Sequence, residues 1–181
     1  MPNWCYNTVK VSHEDSATIE KFVKAINESN LFNTFLPMPE ELHNATSPSK
    51  PNQELIDKYG HSDWYSWSVV NWGTKWEITE SYVSDVSEDK LSVTASFNTA
   101  WNPPIQFYDT MLGFGFDIDA TYTEEGMGYA GRYLNGEDRC IDLDFDETSQ
   151  EWIDKIDDNV LRSLIQDEYD SWLSYSIEID L

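Results

Sequence analysis

Leu91-Ser92-Val93-Thr94-Ala95-Ser96-Phe97-Asn98-Thr99-Ala100 runs into Trp101-Asn102-Pro103-Pro104, then through Ile105 to Gly115, and into Phe116-Asp117-Ile118-Asp119-Ala120-Thr121-Tyr122-Thr123. This stretch decides the fold. Leu91, Val93, Ala95 and Phe97 alternate with Ser92, Thr94, Ser96 and Asn98, the period-two pattern of a strand with one buried face. Two prolines then stop the extended chain. Asn102 suits a helix N-cap and Pro103 the first helical position, where a missing N–H costs nothing. Ile105, Tyr108 and Leu112 give the helix an apolar side, and Gly113 and Gly115 end it. Phe116, Ile118, Ala120 and Tyr122 alternate again, so a second strand follows.

Upstream, Glu77 to Val86 is a strand joined to the first by the Ser87-Glu88-Asp89-Lys90 turn. At the start of the chain, Trp4 to Ser12 is β-rich, with Cys5, Asn7, Val9 and Val11 on one face. Asp15 or Ser16 caps a helix whose Ile19, Phe22, Val23 and Ile26 fall at i, i+3, i+4 and i+7. Phe32 to Leu42, broken by Pro37 and Pro39, predicts an extended packed loop. His43 to Asn52 predicts a mobile polar insertion, and Gln53 to Tyr59 a short helix ending at Gly60. Between that helix and the strands, Trp64 to Trp76 carries Trp64, Trp67, Trp72 and Trp76, half of the chain's eight tryptophans. Each such ring buries about 150–250 Å², so these residues, with Gly73 as a turn glycine, Lys75 and Trp101, are expected to form an aromatic hub. Downstream, Met127 to Leu134 and Arg139 to Phe145 form a hairpin across Asn135-Gly136. A long helix from about Ser149 to Leu173 and a last strand with Tyr175, Ile177, Ile179 and Leu181 complete the reading.

The order β-α-(hub)-β-β-α-β is that of a split βαβ, the ferredoxin-like arrangement. The expected fold is therefore α+β: a ferredoxin-like antiparallel sheet with an aromatic hub, extended by a C-terminal hairpin, a long helix and a final strand. At 181 residues one domain is expected, with residues 136–181 as an acidic extension packed on the rest.

Charge is the outlying property. The formal net is −23, and residues 101–181 carry 20 acids against only Arg132, Arg139, Lys155 and Arg162. Such a surface repels nucleic acid and anionic lipid and attracts basic partners at low salt. The absence of a long apolar run excludes a membrane span. Met1 to Cys5 has neither the basic start nor the apolar segment of a signal peptide, and two cysteines without an export signal read as reduced thiols, so a cytoplasmic location in a bacterial host is expected.

Several fragments belong together: Met1-Pro2-Asn3-Trp4-Cys5-Tyr6-Asn7, Asn71-Trp72-Gly73-Thr74-Lys75-Trp76, Thr99-Ala100-Trp101-Asn102-Pro103-Pro104, Tyr122-Thr123-Glu124-Glu125-Gly126 and Tyr129-Ala130-Gly131. In combination and order they resemble the Api92-like proteins, with a ferredoxin-like domain of the YubB type, carried by bacteriophages and plasmids. The resemblance covers roughly residues 1–135. It implies a ferredoxin-like α+β fold and a mobile-element origin, and it carries no catalytic residue set.

The residues point to no familiar chemistry. Nucleophile elbow, phosphate loop and Cys-His signature are all missing. His13, His43 and His61 share no ligand spacing. Asp142-Leu143-Asp144-Phe145-Asp146 fails the calcium-loop pattern because Glu147 stands where glycine is needed and Ile153 where the last ligand belongs. Neither an enzyme, a cofactor nor a tight metal site is expected. Cys5 reads as a small core residue and the hub as packed core, against the alternative of a stacking platform.

The carboxylates are the remaining signal. Asp117 and Asp119, then Asp142, Asp144 and Asp146, then Glu178 and Asp180, alternate with apolar residues on three expected strands. Asp154, Asp157, Asp158, Asp167, Glu168 and Asp170 line the expected helix. Alternate carboxylates on a strand lie about 6.6–7 Å apart, similar to successive phosphates along a DNA strand. The expectation is a non-enzymatic acidic phage or plasmid accessory protein. It would bind and inhibit a basic nucleic-acid-binding host protein as a DNA mimic, in counter-defence, without touching nucleic acid itself. A metal-dependent enzyme using the same acids, and an acidic structural protein, stand as alternatives.

Overall fold

A computed structural model describes residues 3–47, 50–146 and 148–179, with side chains to 175 in the last segment. Strand β1 (Trp4–Ser12) lies inside a six-stranded antiparallel sheet. Its other strands are β2 (Thr79–Val86), β3 (Ser92–Ala100), β4 (Asp117–Glu124), β5 (Tyr129–Leu134) and β6 (Glu137–Asp142), in the order β2-β3-β1-β4-β5-β6. Helix α1 (Ser16–Asn27) leads away from β1, and α6 (Ile105–Gly113) joins β3 to β4. The run β2-β3-β1-β4 with these two crossovers is the ferredoxin-like arrangement, and the β5–β6 hairpin widens it beyond β4.

Register follows from the alternation. Val9 faces Ala95 on one side and Ala120 on the other, and Val11 faces Val93 and Ile118. These residues are buried with Ile19, Phe22 and Ile26 of α1 and Phe107 and Met111 of α6. Slipping β1 by one residue would drive Lys10 into this core, so the pairing has one acceptable solution. Asp15 caps α1 by accepting from the Ala17 N–H at 3.0 Å, as its sequence position foretells.

The structure corrects five expectations. Residues 32–42 are not an extended loop: α2 (Leu31–Phe35) and α3 (Glu40–His43) form there, the first capped by the Glu77 carboxylate, which accepts from the Phe32 and Asn33 N–H groups at 2.8 and 2.9 Å. Of the expected polar insertion, Pro48 and Ser49 lie outside the described residues; α4 (Gln53–Tyr59) follows and ends at Gly60. The second crossover helix starts at Ile105 rather than Pro103, because Pro104 pushes the residue before it out of the helical region. The tryptophan stretch is itself helical: α5 (Trp64–Asn71) begins where Asp63 accepts from the Ser66 N–H at 2.9 Å.

The last two corrections concern the C-terminal segment. The long helix is two helices, α7 (Ser149–Ile153) and α8 (Asn159–Ile179), because the Asp158 carboxylate caps a new start by accepting from the Val160 and Leu161 N–H groups. Asp and Asn compete with backbone partners and so favour such caps over helix interiors. The final strand does not form among the described residues: residues 175–179 continue α8, since no glycine or proline interrupts propagation once the helix has started, and Asp180 and Leu181 lie outside the described residues. Ile153, Ile156, Leu161, Ile165 and Tyr169 of this segment pack on Ala130 of β5 with Ile141, Leu143 and Phe145, a second apolar cluster apart from the main core.

Candidate functional site

The C-terminal carboxylates fall into two groups. The first is neutralised from within. Arg132 projects from β5, only 14% exposed, and its guanidinium makes paired 2.8 Å contacts with both oxygens of Asp119 on β4 and both of Asp158 at the head of α8. Arg139 on β6 holds Asp157 at 2.5 Å. Burial opposes ionisation of Asp158, but the Leu161 and Val160 N–H groups and Arg132 outweigh it and keep its carboxyl below the ordinary range. The hydrogen bond from Arg139 does the same for Asp157. Asp119, Asp157 and Asp158 are therefore not a free partner surface. Strand register and the docking of α8 bring the two arginines to them.

Asp117, Asp142, Asp144 and Asp146 make no ion pair among the described residues. Asp142 ends the outer strand, and Asp144 and Asp146 lie beyond it, so the expected three-carboxylate strand face is reduced to its first member. Asp146 turns back to accept from Thr148 and Ser149, and the Thr148 hydroxyl and N–H hold its carboxyl low. Asp117 is exposed at the start of β4. Glu178 sits on helical backbone instead of a strand, and Asp180 lies outside the described residues.

Between α7 and α8 the carboxylates are held by amides. Gln150 and Gln166 form a reciprocal pair at 2.8 and 3.0 Å. Gln150 also donates to Asp154 and Gln166 to Asp170, each at 2.9 Å. Two exposed carboxylates, one at the C-cap of α7 and one on α8, are thus fixed relative to one another, and neither makes an ion pair among the described residues. In the sequence, Asp154 and Asp170 are visible as acids, but the two glutamines carry no signal, because their pairing depends on how α7 meets α8.

The aromatic hub divides. Trp67 and Trp72 are buried, with ring centroids 5.3 Å apart in an edge-on arrangement, and the Trp72 indole N–H donates to the Leu36 carbonyl at 3.0 Å. Gly73 has φ +84°, a left-handed conformation that favours glycine, while a Cβ there would meet only the movable end of Gln106 at 2.2 Å and the Ile105 N at 3.1 Å. Trp76 and Trp101 correct the packed-core reading: both are exposed, their rings stacked at 6.3 Å and 29°. Lys75 lies among them, its Nζ 4.4 Å from the Trp76 centroid, 4.7 Å from Trp101, 5.7 Å from Tyr65 and 5.9 Å from Trp64. Trp64 and Tyr65 come from the first turn of α5, Lys75 and Trp76 from the loop after it, and Trp101 from the end of β3.

A cleft of about 420 Å³ between α6 and β6 is lined by Gln106, Tyr122, Tyr129, Asp138 and Cys140, among others. Tyr122 crosses β5 at Gly131, where a Cβ would meet its ring at 2.3 Å, and donates to Asp138 at 2.7 Å. Burial, then the bond to Asp138, raises the Tyr122 phenol, and burial raises Asp138. Cys5 lies in the core, its thiol pushed up to about 12 by burial, an inert packing residue. It is three strand intervals from Cys140, roughly 14 Å, where a disulfide needs Cα atoms within about 7 Å. Among the described residues no group of three or more metal-ligating side chains converges, and no helix is long and apolar enough to cross a membrane.

No protein-family model matches the sequence, and no curated protein matches it. Among solved structures, the chain is similar to the crystal structure of a protein api92 from Yersinia pseudotuberculosis. The identity is 10%, the TM-score 0.45, and the coverage 81% of this chain and 99% of that one. Strand order and register carry the fold assignment.

Proposed function

We propose that this chain is a non-enzymatic acidic accessory protein that binds a basic, nucleic-acid-binding protein and blocks it by presenting carboxylates in place of phosphates. The observation that carries this reading is the Asp154–Gln150–Gln166–Asp170 chain of hydrogen bonds. Carboxylates fixed before a partner arrives save the ordering cost that binding otherwise incurs. They also offer charge-assisted contacts to Arg or Lys, since neither Asp154 nor Asp170 is engaged in an ion pair among the described residues. The net charge of −23 supplies the steering field. The Api92-like fragments in residues 1–135 support an origin in a bacteriophage or plasmid, and with it a role against a host defence protein in the bacterial cytoplasm.

The test uses an arginine-rich peptide as probe, its binding followed by fluorescence anisotropy over a range of salt. Asp154→Asn with Asp170→Asn removes two charges from the proposed face. Glu54→Gln with Glu88→Gln removes two exposed charges elsewhere. The first pair is expected to weaken binding by about tenfold, some 1.4 kcal/mol, chiefly through faster dissociation, and the second by less than about twofold. Equal losses in the two would reduce the acidity to a matter of net charge and end the proposal. Release of a duplex from a basic DNA-binding domain, at stoichiometric protein, tests the blocking step.

A further inference from the structure

We infer that Trp64, Tyr65, Trp76 and Trp101 form an aromatic cage for a cationic side chain of a partner protein, and that Lys75 occupies it while the chain is alone. The inference rests on the reading of a basic partner and adds a second, chemically distinct point of recognition.

The resident ion states the chemistry. Four rings, three of them tryptophans, lie within 5.9 Å of one ammonium. A cation over the face of Trp or Tyr is drawn to the ring quadrupole, and cages of this composition are the usual receptors for ammonium and guanidinium groups. Lys24, Lys58, Lys90, Arg132 and Arg139 each contact a carboxylate within 4.0 Å. Lys75 has no such contact among the described residues, although the chain holds 34 acids. Rings rather than carboxylates hold it.

The backbone is bent to build the cage. Trp101 has φ +69°, a left-handed conformation that bulky residues avoid. Its N–H donates to the Asn3 carbonyl at 3.0 Å and its carbonyl accepts from the Tyr129 hydroxyl, so the unfavourable conformation is fixed from both sides. Strain of this kind persists where the surroundings over-determine it, often at binding sites. What it achieves here is the placement of the Trp101 ring against Lys75 and Trp76, at the surface. Tyr65 and Trp76 are 39% exposed and Trp101 36%, so the rings are reachable, and an open pocket of about 310 Å³ bordered by Trp64, Trp72, Lys75 and Trp76 leaves room beside the lysine.

The occupant is a cation rather than an anion. An anionic ligand drawn to Lys75 would have to approach through the field of a −23 protein, whereas an Arg or Lys side chain is attracted by it. Lys75 then acts as an intramolecular competitor. The apparent affinity of any external cation is lowered by the fraction of molecules in which Lys75 has left the rings. Lone cations are kept out, and a segment anchored elsewhere on the protein can displace it.

Tetramethylammonium chloride is the probe, with sodium chloride at equal ionic strength and a neutral branched alcohol of similar size as controls. The indole N–H resonances of Trp76 and Trp101 report occupancy. Wild type should respond weakly, and Lys75→Met should bind at least about tenfold more tightly. Trp76→Ala placed in the Lys75→Met background should abolish the response. Lys75→Gln serves as a second vacating variant, and each protein's melting curve is recorded. Binding by neither vacated variant beyond wild type, equal shifts with the neutral alcohol, or unfolding of both vacated variants would each overturn the cage and make Lys75 a packing residue. Asp154→Asn with Asp170→Asn should leave the tetramethylammonium response in place, so loss of the cage and loss of the acidic-face reading are separate results.

Discussion

Arg132→Met removes the one guanidinium that ties β5 to both β4 and the head of α8, and the cost can be worked from the exposures. Arg132 is 14% exposed, Asp158 23% and Asp119 39%. Removing one member of a fully buried ion pair costs about 3–5 kcal/mol because the other charge is stranded, while a surface pair is worth about 0–1 kcal/mol. Asp119 is exposed enough for water to replace most of what it loses. Asp158 keeps its bonds from the Val160 and Leu161 N–H groups. The expected loss is therefore intermediate, about 2–3 kcal/mol, or a fall in melting temperature of roughly 4–12 °C for a chain of this size. Because the folded-state carboxyl of Asp158 lies below its ordinary value, its contribution is present above the unfolded pKa and is lost as pH falls through the folded one. The wild type should thus lose more stability than the variant on acidification below the ordinary carboxylate range. Urea melts at several pH values, followed by circular dichroism, give both quantities, and a cycle with Asp158→Asn gives the coupling. A loss under about 0.5 kcal/mol, or no coupling between Arg132 and Asp158, would refute the assignment of this bridge as what fastens the C-terminal helices.

Trp72→Ala should cost roughly 3–5 kcal/mol in chemical denaturation and Trp76→Ala under about 1 kcal/mol, because only the first ring is buried. Similar losses would contradict the division of the hub. Gly131→Ala places a methyl 2.3 Å from the Tyr122 ring and 2.7 Å from the Arg139 carbonyl; destabilisation of about 1–3 kcal/mol is expected in thermal melts, reduced when Tyr122 is also shortened to Val. A thiol reagent at pH 8 should label Cys140 and leave Cys5 until the chain unfolds, since burial and a thiol pushed up to about 12 both protect it. Mass spectrometry showing two labels on the folded protein would mean that the core opens.

The sheet was readable because its signals are local. Val93, Ala95 and Phe97, and Ile118, Ala120 and Tyr122, carry a period of two with few interruptions, and Asn135-Gly136 marks its own hairpin. The hub helix was hidden: with Trp, Tyr and Val at most positions from 64 to 72, no polar face remains to show a period of 3.6, and only the Asp63 cap with Ser66 beyond it pointed to a helix. At the chain's end, Tyr175, Ile177 and Ile179 alternate over too few residues to separate a strand from a helix. The acids were visible one by one, yet their partners were not. Whether Asp119 or Asp154 is free depends on where Arg132 and Gln150 project, and that follows from strand register and from the packing of α7 on α8.

Of the strands in the sheet, β1 is made before the others and waits for both of its partners. Its partners in the sheet begin at Ser92 on one side and Asp117 on the other. At about 5–20 residues per second, the eighty residues between Ser12 and Ser92 take a ribosome roughly 4–16 s. Through that interval Val9 and Val11 have no strand on either flank, the condition in which extended apolar segments meet each other on neighbouring nascent chains. The opposite side of the strand is Tyr6, Thr8, Lys10 and Ser12. Residues that lie on the polar face of the finished sheet thus also act earlier, as gatekeepers that keep a waiting strand soluble until the rest of the sheet is made.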